Sequence, residues 1–215
     1  MKATFGFFIL CGLVCVVFQC EGKINRLPNG NNLTFVKGSN GKISWSFDDS
    51  IDSVKYRSWT FRRKKTDKAE SIAEIVKKAN VNIEKKWLTR VEIEGDAALI
   101  LKDVDASFSG MYTFSLSAPD PLKSEVTVFI AVPPENVRAV FSAKMAEVDE
   151  SFTITCEAYA DPPPKFSIFY NNTRLIGREK TYMIPKVNSS HSGFYKCGVE
   201  NGFGSRNSTS VYLHV

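Results

Sequence analysis

Hydrophobic and polar residues alternate with period two along most of the chain. Ile43, Trp45 and Phe47 alternate with polar residues, as do Val91 and Ile93. Such alternation places one row of side chains against a core and the other in water, as in half-buried antiparallel strands. The pattern therefore predicts an all-β fold, and it recurs at Tyr112, Phe114 and Leu116 and at Phe152, Ile154 and Cys156.

One segment has a different period. Residues 69–79 place Ile72, Ile75, Val76 and Ala79 at helical spacing, which on its own predicts an amphipathic helix. The segment lies between predicted strands, and tertiary context often overrides local propensity. We therefore favour a strand with a polar edge.

A pair of prolines divides this strand-rich sequence in two. In Val132-Pro133-Pro134-Glu135 the prolines cannot donate to a sheet ladder, and they hold the chain extended. We predict two domains, over residues 23–132 and 133–215, joined by a short semi-rigid linker.

The first 22 residues have the features of a secretory signal peptide. Met1-Lys2 gives a positive start, residues 5–18 are almost entirely apolar, and Cys20 and Gly22 are the small residues before a cleavage site. The apolar run is shorter than the roughly 20 residues of a spanning helix, and no later segment is apolar enough to cross a bilayer. We expect a mature chain that begins near Lys23 and is secreted or lies on the extracellular face of the plasma membrane. Both a complete protein and the ectodomain of a longer anchored receptor remain open.

Composition and charge narrow the classes of partner. The chain has 43% hydrophobic and 24% charged residues, as ordinary globular proteins do. Its formal net charge of +5 is too small to favour nucleic acid, so we expect no nucleic-acid partner. Once the leader is removed, Cys156 and Cys197 are the remaining cysteines, and in an oxidising compartment two thiols most simply form one disulfide.

Residues 149–200 resemble an immunoglobulin domain of the I-set type. Ser151–Cys156 matches strand B of the family, and Gly193–Cys197 is the G-x-Y-x-C signature of strand F. Ile168 stands where the core Trp is usual, and His191 stands where an Asp is usual. The resemblance implies an antiparallel β-sandwich closed by a disulfide between these two strands.

Residues 31–132 resemble a V-set immunoglobulin domain without its inter-sheet disulfide. The strand B template puts Phe47 at the first cysteine position, Trp59 follows as the core Trp of strand C, and Gly110–Phe114 is the strand F signature with Phe in place of Cys. The resemblance implies that Phe47 and Phe114 face each other in the core.

The same template predicts the loss of a further family feature. Phe108 stands where V-set domains have an Asp. We therefore expect the salt bridge of that Asp to an arginine, such as Arg90, to be absent.

The order of the two domains is similar to that of the SLAM-type lymphocyte adhesion receptors. These have a V-set domain without a disulfide ahead of a disulfide-bonded domain, although their second domain usually has another bridge that this chain lacks. The resemblance implies two tandem immunoglobulin-like antiparallel β-sandwiches. It also implies cell adhesion or immune recognition through a protein ligand or counter-receptor, with homophilic and heterophilic binding both open.

The sequence shows no assembled catalytic, cofactor or metal site. His191 and His214 are its two histidines. Nucleophilic chemistry needs positioned partners, and a structural zinc site needs about four ligands. We expect a protein that is not an enzyme and needs no cofactor.

Four N-x-Ser/Thr sequons predict exposed N-glycans. They lie at Asn32, Asn171, Asn188 and Asn207, so one is near the start of the first domain and three are in the second. Bulky sugar excludes partners. We therefore expect the sheet of strands C, C′, F and G in the first domain to be bare and suited to binding.

The residues of this binding face follow from alternation. If Trp59, Tyr112 and Phe114 point into the core, every second residue of the same strands points outward. Aromatic, Met and Arg side chains are enriched in interface cores. The predicted partner-binding face consists of Tyr56, Ser58, Thr60, Arg62, Met111, Thr113, Ser115 and Phe129.

A basic run supports a different hypothesis. Arg62, Arg63, Lys64 and Lys65 follow one another where strand C turns into C′. They could bind a sulfated glycan, as in a glycosaminoglycan-binding matrix protein. Acidic neighbours instead favour an ordinary solvated loop, and these are Asp67, Glu70, Glu74 and Glu84. A third hypothesis is that the protein is a secreted soluble effector or decoy.

Overall fold

The computed structural model describes residues 24–25, 31–48, 50–117 and 121–215. The signal peptide predicted over residues 1–22 and the start near Lys23 lie outside the described residues. The predicted all-β fold is present as two tandem β-sandwiches.

Within the described residues, the first sandwich has eleven strands, the last of which continues into the second sandwich. Their bounds are β1 (Ile24–Asn25), β2 (Asn32–Val36), β3 (Gly41–Ile43), β4 (Ser46–Phe47), β5 (Tyr56–Arg62), β6 (Glu70–Val76), β7 (Asn82–Ile83), β8 (Val91–Glu94), β9 (Ala98–Leu101), β10 (Gly110–Ser117) and β11 (Pro121–Phe141). Short 3-10 turns lie at Lys85–Trp87 and Ala106–Phe108.

Two sheets enclose the first core. The front sheet has the strand order β2-β11-β10-β5-β6-β7, in which β2 runs parallel to β11 and the other neighbours are antiparallel. The back sheet has the order β3-β9-β8, and β1 pairs with β4. Each inner face presents the apolar residues of the alternating pattern, as the sequence predicts.

The segment with helical spacing forms strand β6. Trp59 pairs with Ala73 and Thr60 pairs with Ser71, so Ile72 is an extra residue in a β-bulge. A bulge shifts the alternation by one residue, which lets Ile72, Ala73 and Ile75 all be buried. The bulge therefore accounts for the burial of Ile72 and Ile75, whereas Val76 is exposed and Ala79 lies beyond the end of the strand.

The centre of the first core differs from the template in one respect. Ile43 of β3 pairs with Leu99 in the first sandwich. Ile154, which lies two residues before Cys156, occupies the equivalent position in the strand pairing of the second sandwich. By this register Trp45, not Phe47, occupies the first cysteine position. Trp45 is 4% exposed with its ring 5.7 Å from that of Phe114, whereas Phe47 is half-buried at 6.2 Å. The expected stacking of Phe47 on Phe114 is present, but Phe47 stands at the edge of the cluster.

The second sandwich also has two sheets. Its strands are β12 (Phe152–Asp161), β13 (Lys165–Tyr170), β14 (Arg174–Gly177), β15 (Thr181–Ile184), β16 (Gly193–Asn201), β17 (Gly204–Asn207) and β18 (Val211–Leu213), with a 3-10 turn at Ser189–His191. One sheet consists of the end of β11 with β12 and β15, and the other has the order β14-β13-β16, with β17 and β18 both paired to β16. A disulfide joins Cys156 of β12 to Cys197 of β16, with their Cα atoms 5.7 Å apart.

A tyrosine corner closes each sandwich. The Tyr112 hydroxyl donates to the Phe108 carbonyl at 2.8 Å, and the Tyr195 hydroxyl donates to the His191 carbonyl at 2.9 Å. Burial raises the pKa of both phenols, so both remain protonated donors. Tyr195 lies two residues before Cys197, where the family has this corner, and Tyr112 lies two residues before Phe114.

The junction between the sandwiches is braced by polar contacts. Lys37 Nζ lies 2.7 Å from a carboxylate oxygen of Glu135. Asn201 Nδ2 donates to the carbonyls of Val132 and Pro162 at 2.9 and 3.1 Å. The unbroken strand β11 and these contacts agree with the expected semi-rigid linker, and the boundary at residue 132 stays a prediction.

A buried arginine ties the front sheet to the turn between β8 and β9. Arg57 is 5% exposed, and its Nη1 donates to the carbonyl and carboxylate of Asp96 at 2.9 and 3.2 Å. Its Nη2 donates to the Lys77 carbonyl at 3.5 Å. We expect Arg57→Ala to lower the free energy of unfolding by about 1–3 kcal/mol, because the packing of a buried side chain and the hydrogen bonds from its charged donor are lost.

Guanidinium denaturation of the purified protein measures this loss. Asp96→Ala is the matched control, since its carboxylate is mostly exposed and should contribute less than about 1 kcal/mol. Equal losses for the two variants would contradict the assignment of the buried side chain as the anchor.

Candidate functional site

The outward side of the front sheet, here called the front face, contains the predicted binding residues in one surface. Met111 pairs with Arg62, Thr113 with Thr60, and Ser115 with Ser58. Paired residues of antiparallel strands project to the same side, so β5 and β10 contribute to one face. The next strands extend it, with Glu125 beside Thr113 and Glu74 beside Ser58.

One predicted face residue is not accessible. Thr113 faces the same side as its neighbours but is only 6% exposed. Arg62 reaches across β10 from β5, and its Nη2 lies 3.0 Å from Glu125 Oε1 on β11. This ion pair and the flanking strands cover Thr113, so the prediction of an exposed Thr113 is wrong. Tyr56 is exposed, and the other members are partly exposed: Ser58, Thr60, Arg62, Met111, Ser115 and Phe129.

Glu125 organises one end of the front face. Lys123 Nζ lies 2.9 Å from Glu125 Oε1, the same oxygen that pairs with Arg62. The hydrogen bond from Lys123, with the nearby positive charges, holds the pKa of Glu125 below its usual value despite partial desolvation. Glu125 is therefore ionised at neutral pH and fixes the position of the Arg62 guanidinium.

Glu74 organises the other side. The Tyr56 hydroxyl donates to Glu74 Oε2 at 3.0 Å, and Asn82 Nδ2 donates to Glu74 Oε1 at 3.3 Å. Desolvation, with the neighbouring carboxylate of Glu74, raises the pKa of Tyr56. The two clusters leave a strip of small hydroxyl side chains between them, formed by Ser58, Thr60 and Ser115.

The sequence did not lead us to predict three of these front-face residues, which are Lys123, Glu125 and Asn82. Lys123 and Glu125 alternate with Val126 and Val128 on the predicted last strand, so the same period-two argument would have found them. No comparable sequence pattern predicts that Asn82 belongs to the front face, because its strand β7 joins the front sheet only through a short pairing with β6.

The sequon at Asn32 borders the front face. Strand β2 pairs parallel with β11, so Asn32 lies beside Thr127 and Thr34 lies beside Phe129. Leu33 and Phe35 pack against the core, which leaves Asn32 and Thr34 on the outward side. A glycan on Asn32 would stand at this edge, although the strands expected to be bare, β5, β6, β10 and β11, contain no sequon themselves.

The other sequons lie on the second sandwich. Asn171, Asn188 and Asn207 are all exposed. The Asn188 carboxamide oxygen caps a 3-10 turn by accepting from the Ser190 backbone at 3.0 Å. Occupancy of the four sites stays a prediction.

The basic run lies at the turn between β5 and β6. Arg63, Lys64 and Lys65 are exposed, whereas Arg62 is paired with Glu125. The Asp67 carboxylate accepts from the Lys64 backbone N–H at 3.0 Å. The turn is therefore held by a local hydrogen bond, and the run projects three cationic side chains from it.

The salt bridge that Phe108 was expected to abolish is present in another form. Arg90 Nη2 lies 2.9 Å from Asp105 Oδ2, and its guanidinium carbon lies 4.1 Å from the centre of the Phe108 ring. Asp105, three residues earlier in the chain, supplies the carboxylate, and Phe108 supplies a cation–π surface. The bridge from the usual Asp position is therefore absent, as expected, but Arg90 keeps a carboxylate partner in Asp105.

The two histidines have structural contacts. His191 Nδ1 accepts from the Asn188 backbone N–H at 3.0 Å, and the His214 ring lies 4.6 Å from that of Tyr212. Among the residues with described positions, no group of three or more His, Cys, Asp or Glu side chains could hold a metal ion. In the same part of the chain, no helix has the length and apolar character to cross a membrane.

Comparisons with known proteins find matches to immunoglobulin domains. A family model described as "Immunoglobulin domain" matches residues 136–215. The B-cell receptor CD22 of Mus musculus is 32% identical over 110 residues, which are 49% of this chain and 13% of that protein. The chain thus spans only about an eighth of the length of the curated relative that it matches.

Solved structures agree in fold. The structure of an amphioxus IgVJ-C2 molecule has a TM-score of 0.63 at 18% identity, covering 85% of this chain and 100% of that one. The amino-terminal four immunoglobulin domains of Dscam1 isoform 6.9 give 0.60 at 19% identity, covering 90% and 45% of the two chains. At such identities the likeness concerns the fold.

Proposed function

We propose that this chain, whose residues 136–215 match an immunoglobulin-domain model and whose fold is similar to solved immunoglobulin structures, is an extracellular recognition protein whose front face binds a protein ligand or counter-receptor. We expect it to have no enzymatic activity. The superfamily relatives that support this proposal include a B-cell receptor.

The fixing of two side chains in the unbound protein supports the front face as the binding surface. Tyr and Arg dominate the energetics of many protein interfaces. Tyr56 is held by Glu74 and Arg62 by Glu125 before any partner arrives. Ordered side chains lose less conformational entropy on association. The strip of small hydroxyl side chains between Tyr56 and Arg62 lets a flat partner surface approach the sheet.

An oxidising, extracellular location is supported by several features. The Cys156–Cys197 disulfide persists in such compartments and is rare in the cytosol. The four sequons lie at exposed positions. The signal peptide predicted over residues 1–22 agrees with secretion.

Surface variants test the binding face. We expect Tyr56→Ala, Arg62→Glu and Phe129→Ala each to weaken binding of the multimerised protein to partner-bearing cells by about tenfold or more, the size of a moderate hot spot. Sedimentation of the same variants tests self-association. The matched set on the second sandwich is Tyr159→Ala, Arg206→Glu and Phe194→Ala, all at exposed positions.

The result that overturns the proposal is specific. If every variant folds, and the second-sandwich set loses binding while the front-face set binds normally, the front face is not the binding surface.

A further inference from the structure

We propose that a groove beside the front face binds an anionic group of a sulfated polysaccharide. The groove, here called the basic groove, has a volume of about 200 Å³. It lies between the end of β5, the start of β6 and the 3-10 turn at Lys85–Trp87. The cations that line it are Arg62, Arg63, Lys68, Lys86 and Arg90.

Positive charge exceeds negative charge in this lining. Its carboxylates are Asp67 and Glu70. Asp67 accepts from the Lys64 backbone, and Glu70 pairs with Lys86 at 2.5 Å. The side chains of Arg63 and Lys68 have no ion pair within the described residues. The lining therefore has five cations against two carboxylates, and two of the cations, Arg63 and Lys68, are not held in ion pairs within the described residues.

A buried donor in the same lining lacks an acceptor. Arg62 uses Nη2 for Glu125, but its Nε is buried and donates to no acceptor in the described part of the chain. An unsatisfied buried donor is energetically unfavourable. The Arg62 guanidinium in the lining therefore has hydrogen-bonding capacity that Glu125 does not use, which distinguishes this site from an ordinary exposed lysine cluster.

Aromatic rings hold the remaining cations in place. Trp87 is buried and packs edge-on against Phe61 at 5.6 Å. Lys86 Nζ lies 5.7 Å and the Arg90 guanidinium 6.0 Å from the centre of the Trp87 ring. An apolar floor lowers the local dielectric constant and so strengthens the attraction of these charges for an anion.

The exposed part of the basic run indicates that the ligand is a polyanion and not a single small ion. Arg63 lines the groove, and Lys64 and Lys65 continue from it on the surface of the turn. One sulfate would occupy the basic groove while neighbouring sulfates of the same chain contact the run. Such chains are abundant outside cells, where we place this protein. Since only Arg62 belongs to both sites, this inference stands apart from the front-face proposal.

Binding of the whole protein to defined heparin oligosaccharides tests the inference. Calorimetry at physiological salt should detect binding that weakens as salt rises, because surface electrostatics are screened. We expect the triple variant Arg63→Ala, Lys68→Ala, Lys86→Ala to bind at least tenfold more weakly. The control triple Lys144→Ala, Lys165→Ala, Lys186→Ala removes equal charge from exposed sites on the second sandwich and should bind like wild type.

Three results would overturn the inference. The first is an equal loss in both triples, which would mean that net charge alone is responsible. The second is normal binding by the groove triple with an unchanged melting temperature. The third is equal binding of desulfated heparin or of poly-glutamate, which would assign the groove to carboxylates or acidic proteins instead.

Discussion

Replacing Phe114 with alanine should lower the free energy of unfolding of the first sandwich by about 3–5 kcal/mol, as large-to-small changes of a core aromatic do. Phe114 is fully buried, and its ring lies 5.2 Å from Trp59 and 5.7 Å from Trp45. This aromatic cluster stands where related domains have a disulfide, which would contribute roughly 4 kcal/mol in the chain-entropy model. Removing its central ring therefore removes the main link between the two sheets.

Phe47→Ala and Trp45→Ala separate the two possible registers of strands β3 and β4. We expect Trp45→Ala to approach the loss seen for Phe114→Ala, and Phe47→Ala to cost about half as much, because Phe47 is only half-buried. Guanidinium denaturation followed by tryptophan fluorescence suits Phe114 and Phe47, and circular dichroism suits Trp45. A larger loss for Phe47→Ala than for Trp45→Ala would restore the register of the sequence template.

Loss of the Cys156–Cys197 disulfide should destabilise the second sandwich by about 4 kcal/mol. The two cysteines are 41 residues apart, and the chain-entropy model assigns this much to a loop of that length. Both cysteines are fully buried within the smaller of the two hydrophobic cores. We expect the double variant Cys156→Ala, Cys197→Ala to lower the melting temperature of the second sandwich far more than that of the first.

Calorimetry of the double variant beside wild type measures this effect. Intact mass before and after reduction and alkylation is the control, and wild type should gain two alkyl groups only after reduction. Two free thiols in the secreted wild-type protein would contradict the prediction, as would a melting temperature unchanged by the double substitution.

Local patterns were enough to predict the fold class. Alternation such as Phe152, Ile154 and Cys156 requires only neighbouring residues, because successive side chains of a strand point to opposite sides. The signature around Tyr195 and Cys197 is likewise a short stretch of sequence. Strands, turns and the pair of sandwiches could therefore be predicted without any knowledge of which strands pair.

Features that depend on pairing were predicted less well. Trp45 and Phe47 both alternate correctly, and only the pairing of Ile43 with Leu99 shows which of them faces the centre of Phe114's cluster. The bulge at Ile72 inserts one residue into a strand. This extra residue gave part of the strand the apolar spacing expected of a helix.

The sequence by itself determined which residues share a side of each strand, and with that most of the front face. Only the tertiary structure decided that Arg62 would reach Glu125 and bury Thr113, and that β2 would bring Asn32 to the edge of the face. It also decided that Arg62 and Arg90, distant in sequence, would line one groove. The physical reason is that side-chain direction follows from the local backbone, whereas register and neighbouring strands depend on contacts between residues far apart in the chain.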